Sequence, residues 1–175
     1  MKYITPIKFP KFDLELPKPQ IKKVVYTDPS AILRTLGVPK CDYLDLQCLE
    51  ALIKPQHSLE IHKDLNSSGL PGCAWSLVFC PNGNDNCFLE IYEETPETKL
   101  LTFNSVSNFP LTYLDPTTAK LVEYWNMKDG ACTFDAASYW HTVRNPTDNY
   151  IHVLSFRSKE IKSLVILKKL IENLV

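Results

Sequence analysis

The sequence contains no Cys-x-x-Cys pair, no apolar run of membrane-spanning length, no excess of basic charge, no solenoid-length repeat and no low-complexity linker. Each absence removes a class of protein. Six cysteines (Cys41, Cys48, Cys73, Cys80, Cys87 and Cys132) without metal-ribbon spacing read as reduced, half-buried thiols of a cytoplasmic protein rather than as a zinc cluster or disulfide framework. The start, Met1-Lys2-Tyr3-Ile4-Thr5-Pro6 followed by Lys8, Pro10 and Lys11, lacks the unbroken apolar core of a secretory signal. A net charge of -1 with scattered Lys and Arg excludes a broad nucleic-acid-binding or anionic-membrane-binding field.

What is present is enough apolar residue for one core: 175 residues at 45% hydrophobic content predict a single domain over residues 1–175. Successive strand-like runs follow Gly72: Cys73 to Cys80, Cys87 to Glu93, Lys99 to Asn104, Leu121 to Asn126, Ala131 to Phe134, Tyr139 to Asn145 and Tyr150 to Arg157. Residues 1–24 alternate lysine with apolar residues among prolines and predict extended edge segments or an arm. Two amphipathic helices are expected. One spans Asp42 to Ile53, where Leu44, Cys48, Leu49 and Leu52 recur at helical spacing before Pro55; the other follows Arg157, from Ser158 to Leu174, with its apolar stripe covering the outside of a sheet. The stretch Ser105 to Thr118 is the candidate long loop or lid.

One short alternating run carries chemistry. In Ser58-Leu59-Glu60-Ile61-His62-Lys63-Asp64, strand alternation puts His62 and Asp64 on one side, about 6.6 Å apart along the chain, with Leu59 and Ile61 on the other. His141 heads a later strand-like run. Two neighbouring donors and one distant histidine are how a jelly-roll barrel builds a two-histidine, one-carboxylate metal face. Taken singly, His62 also reads as a surface-strand histidine, Asp64 as the start of a turn toward Asn66 and Gly69, and His141 as a core histidine packed by Tyr139 and Trp140.

The segment Gly130 to Asp148, Gly-Ala-Cys-Thr-Phe-Asp-Ala-Ala-Ser-Tyr-Trp-His-Thr-Val-Arg-Asn-Pro-Thr-Asp, and the later Val153-Leu154-Ser155-Phe156-Arg157 resemble the C-terminal strands of iron(II)- and 2-oxoglutarate-dependent dioxygenases. With His62-x-Asp64 the resemblance covers roughly residues 56–157. It implies a mainly β fold with flanking helices: a double-stranded β-helix (jelly roll, cupin-like) core over 56–157, preceded by extended segments and a helix (1–55) and followed by a helix (158–175). It also implies that His62, Asp64 and His141 hold Fe(II), that 2-oxoglutarate is the cosubstrate, and that the product is a hydroxylated small molecule or peptide side chain.

The sequence departs from the family on its last strand. The arginine that members place about ten residues after the distal histidine, to clamp the 2-oxoglutarate 5-carboxylate, is replaced here by Ile151. By alternation Ile151, Val153, Ser155 and Arg157 share a face, and Arg157 resembles the second, later arginine of the oxidative dealkylase branch, with Ser155 as its hydroxyl neighbour. Arg157 and Ser155 are therefore the expected cosubstrate contacts. A bulge turning His152 inward, or a group from Trp75, Tyr92 or the helix, can also complete the clamp. Two other readings stay open: a non-enzymatic jelly-roll binding module, and a cupin-like metalloprotein that does not use 2-oxoglutarate.

Overall fold

Strand formation follows the expected runs closely. A computed structural model of the protein describes residues 2–7, 25–35, 37–38, 46–65, 75–81, 86–104 and 110–172. Its strands are β1 (Thr5–Ile7), β2 (Val25–Thr27), β3 (Gln47–Ile53), β4 (His57–Ser58), β5 (Trp75–Phe79), β6 (Phe88–Glu93), β7 (Leu100–Asn104), β8 (Pro110–Leu114), β9 (Lys120–Asn126), β10 (Ala131–Asp135), β11 (Trp140–Asn145) and β12 (Ile151–Ser158). The helices are α1 (Pro29–Thr35) and α2 (Ile161–Glu172). Among the described residues no helix is long and apolar enough to cross a membrane.

The topology is that of a double-stranded β-helix. A six-stranded sheet in the order β1-β10-β5-β12-β3-β2 faces a four-stranded sheet in the order β4-β11-β6-β9. In chain order β3, β5, β10 and β12 fall in the larger sheet, and β4, β6, β9 and β11 in the smaller. The named pairings within both sheets are antiparallel. The hairpin β7–β8 is inserted between β6 and β9 as a separate two-stranded sheet.

Two layers of side chains explain why these runs form strands. Ala51, Ile53, Val78, Leu89, Ile91, Phe134, Val143, Ile151 and Val153 fill the space between the sheets. On the outer face of the larger sheet, Cys48, Leu77, Phe79, Leu154 and Phe156 are covered by Ile32 and Leu33 of α1 and by Leu164 and Leu167 of α2. Alternation along β12 therefore sends Ile151 and Val153 inward while Leu154 and Phe156 meet the helices. The covering role expected of the C-terminal helix is realised by α2, although it starts at Ile161. Ser158 ends β12, and its Oγ accepts from Glu160 N at 3.0 Å.

Three expectations are corrected. Gln47–Ile53 is a strand, not a helix: β3 is paired on both sides and buried on both faces, so its apolar residues form a nearly continuous run that helical spacing fits equally well. Residues 42–45 of that expected helix lie outside the described residues, as do 8–24 of the expected N-terminal arm, 66–69 of the expected turn, 73–74 of the first strand-like run, 105–109 of the lid candidate and 173–174 of the last helix. Second, Pro110–Leu114 within the lid candidate is a strand in register with β7, from Leu100↔Leu114 to Asn104↔Pro110. Third, the barrel is not confined to residues 56–157, because β3 and the edge strands β1 and β2 belong to its larger sheet. Helix α1 went unanticipated, yet its signals are ordinary: Asp28 Oδ1 accepts from Ser30 N at 2.9 Å, Pro29 opens the helix, and Gly37 follows it at φ 73°.

Candidate metal centre

One short stretch of antiparallel pairing brings the two candidate histidines together. His62 N donates to His141 O at 3.0 Å and His141 N donates to His62 O at 2.9 Å, a single bridge that sets the side chains beside each other. The rings lie 4.5 Å apart. Two residues on, Asp64 points to the same side as His62, and its backbone N–H is fixed by Ala136 O at 2.8 Å. The donor atoms of His62, Asp64 and His141 all lie within 4.8 Å of one another, so one cation can touch all three.

The protonation pattern of the imidazoles follows from their backbone partners. His62 Nδ1 meets Glu60 O at 2.8 Å and His141 Nδ1 meets Tyr139 O at 3.0 Å; a carbonyl can only accept, so both Nδ1 atoms carry the proton. Both Nε2 atoms then face Asp64 Oδ1, at 3.5 Å and 4.0 Å. Arg157 places positive charge beside the same oxygen, its Nη2 donating to Asp64 Oδ1 at 2.9 Å. Asp64 Oδ2 is nevertheless buried with no hydrogen-bond partner among the described residues. Two inward Nε2 atoms and a buried carboxylate oxygen fit a divalent metal ion.

Burial shapes the electrostatics. It drives the His141 imidazole down to about 3, with neighbouring His62 adding to the effect, so this ring stays neutral and ready to ligate. Burial pushes the Asp64 carboxyl upward, but the His62 contact and the Arg157 charge outweigh it and hold the group below the ordinary carboxylate range. The side chains of Asp64 and His141 are only 6% and 5% exposed, while His62 at 27% lies on the open side. The Phe134 ring packs edge-on against His141 at 4.8 Å and closes the inner side.

The two expected cosubstrate contacts, Arg157 and Ser155, both lie on β12. Arg157 lies on the inward face of β12 and reaches the metal-ligand cluster through Asp64. Its Nε is buried without a partner among the described residues. Ser155 Oγ is hydrogen-bonded to Ser76 Oγ at 2.5 Å, a neighbour that sequence reasoning missed because Ser76 acquires meaning only from the β5–β12 pairing. Ile151 is fully buried in the inter-sheet core, leaving no polar group at the family's usual clamp position. The suggested substitutes do not fill it. Pairing of β12 with β3 runs without a bulge from Ile151↔Ile53 to Arg157↔Gln47, so His152 faces outward, where its Nε2 meets Glu50 Oε2 at 3.0 Å. Trp75 packs in the outer cluster, and Tyr92 OH donates to Glu90 Oε2 at 2.8 Å.

No family model matches the sequence, and no curated protein is significantly similar to it. Among solved structures, the coconut allergen cocosin aligns with 86% of this chain and 29% of its own at 9% identity and a TM-score of 0.40. Pumpkin seed globulin aligns with 66% of this chain and 25% of its own at 11% identity and a TM-score of 0.36. The cupin domain of an XRE-family transcriptional regulator from Enterobacter cloacae aligns with 78% of this chain and 97% of its own, at 12% identity and a TM-score of 0.34. This chain thus spans under a third of the length of cocosin and of the pumpkin seed globulin. Its fold class rests on its own strand order: a mainly β, cupin-like double-stranded β-helix carrying a three-residue set able to hold a metal ion.

Proposed function

We propose that this chain is an Fe(II)- and 2-oxoglutarate-dependent oxygenase that hydroxylates a small molecule or a peptide side chain. The observation that carries the reading is the pairing of two Nδ1-protonated histidines with a buried carboxylate whose Oδ2 has no partner, at the mouth of a jelly-roll barrel. When bound, ferrous iron would supply the activation of dioxygen that no protein side chain can supply.

The residues of the chain have separate tasks in this reading. His62 and His141 ligate through Nε2, oriented by the Glu60 and Tyr139 carbonyls, and Asp64 ligates through its carboxylate. Arg157 offers the unpartnered Nε to an acidic cosubstrate while Nη2 keeps Asp64 in place. Ser155 and Ser76 share one hydrogen bond, so one hydroxyl proton of the pair remains to be donated on the same strand face. Phe134 and the inter-sheet core exclude water from the inner side of the site.

The test is ferrous-dependent conversion of 2-oxoglutarate to succinate without added substrate, lost in His141→Ala. A second reading, a metalloenzyme of the same fold that does not use 2-oxoglutarate, is favoured by the buried Ile151. Iron binding without 2-oxoglutarate consumption selects that reading; absence of iron binding leaves a binding module.

A further inference from the structure

The segment that presents His62 and Asp64 leaves the regular sheet after Ser58 and is held to the barrel by separate bonds: Leu59 N donates to Val143 O at 3.0 Å, His62 and His141 form an isolated bridge, and Asp64 N donates to Ala136 O at 2.8 Å. Alternation turns Ile61 and Lys63 to the outside, behind the metal ligands, and Trp140 likewise lies behind His141. These outward residues meet each other as the ligands meet inside. Lys63 Nζ sits 4.8 Å from the centroid of the Trp140 ring, and Trp140 Nε1 donates to Glu94 Oε1 at 2.7 Å. Ile61, Leu114 and Trp140 form a separate buried cluster, and Leu114, the last residue of β8, donates its N–H to Ile61 O at 2.9 Å.

We infer that Trp140, backed by Leu114 of the inserted hairpin, is a positioning residue for the metal centre: it fixes the Ile61–Asp64 segment from outside and thereby sets metal affinity without reaching the metal. This inference rests on the metal-site reading above. The geometry explains why an indole is used. Its face receives the Lys63 charge, the ring clusters with Ile61 and Leu114, and its N–H is anchored by Glu94, so one side chain ties together the segment, β11 and the residue that follows β6.

The experiment titrates the full chain with Co(II) alone, followed by its visible absorption, with near-ultraviolet circular dichroism recorded at the same temperature. Trp140→Ala should bind Co(II) about 10- to 100-fold more weakly, the range lost when groups orienting metal ligands are removed. Trp140→Phe, which keeps an aromatic face for Lys63 and Ile61, should recover most of the affinity. Asn145→Ala, at the opposite end of the barrel, should leave Co(II) affinity unchanged. Wild-type affinity in Trp140→Ala overturns the inference, as does an equal loss in Asn145→Ala, which would mark the effect as general destabilisation. Should Trp140→Ala not fold, Leu114→Ala and Lys63→Met decide: weakened Co(II) binding supports the inference and unchanged binding in both overturns it. A wild-type chain that binds no Co(II) overturns the metal-site reading together with this one.

Discussion

Arg157 and Asp64 form a largely buried ion pair, with Nη2 donating to Oδ1 at 2.9 Å and side-chain exposures of 16% and 6%. The last strand is thereby tied to the carboxylate that also belongs to the candidate metal set. Arg157→Met leaves that carboxylate buried with its strongest partner gone, which should cost about 3 kcal/mol or more in the metal-free protein. Mn(II) should restore much of the loss, because the cation replaces the missing charge. Urea unfolding with and without Mn(II) measures both numbers; equal losses in the two conditions would show that Asp64 does not contact the ion. The same variant should retain Mn(II) and lose 2-oxoglutarate binding by calorimetry, if Arg157 is the cosubstrate contact.

His62 is the candidate ligand most easily separated from the fold. Its side chain is partly open and its ring makes one backbone hydrogen bond, to Glu60 O. His62→Ala should therefore change stability by about 1 kcal/mol or less while removing most metal affinity. Metal titration of a variant shown to unfold at nearly the parental urea midpoint provides the check.

Acid should destabilise the metal-free protein through two buried histidines. Burial lowers His141 to about 3, and it lowers His152 by more than the adjacent Glu50 carboxylate raises it. An unfolded histidine titrates near 6.5, so below that pH the unfolded chain takes up protons that the folded one refuses. The stability is fully present above about pH 6.5 and is lost on acidification, for His141 over the range down to about 3. Urea midpoints should fall between pH 7 and pH 5, and His141→Gln or His152→Gln should each make the fall shallower. A slope unchanged in both variants would assign acid sensitivity to other groups.

Asn145 is a structural knot at the far end of the barrel. Its fully buried amide donates to Ile53 O at 3.1 Å, Lys54 O at 2.9 Å and Asn149 O at 2.7 Å, and its Oδ1 accepts from Thr147 N and Oγ1. Asn145→Ala strands several backbone groups at once and should cost about 2–4 kcal/mol, as the loss of several satisfied buried bonds implies. Denaturant unfolding measures the loss, and a change under about 1 kcal/mol would mean that water replaces the amide.

Much of this was legible in the sequence, and the gaps have identifiable causes. The seven strand-like runs after Gly72 all contain strands, and in all but the exposed β7 one face packs on the core or against it. The convergence of His62, Asp64 and His141 followed from alternation plus the family resemblance. Strand β3 was misread because burial on two faces erases the period-two signal, as the positions of Cys48 and Ala51 in different clusters demonstrate. Strand β8 is hidden by Pro110 at its head and Pro116 beyond its end, and Ser76 by its ordinariness. The Lys63–Trp140 contact has no local signature at all, since it is created by a bridge between segments far apart in the chain.

That bridge also constrains the order of events during folding. His62, His141 and Arg157 become neighbours only when β11 and β12 have closed the barrel over the earlier strands, and such non-local closure comes late and slowly. A metal ion held by these three residues would therefore meet no complete site in the collapsing chain. It would act on the finished barrel as a latch, expected to slow unfolding while leaving the refolding rate unchanged.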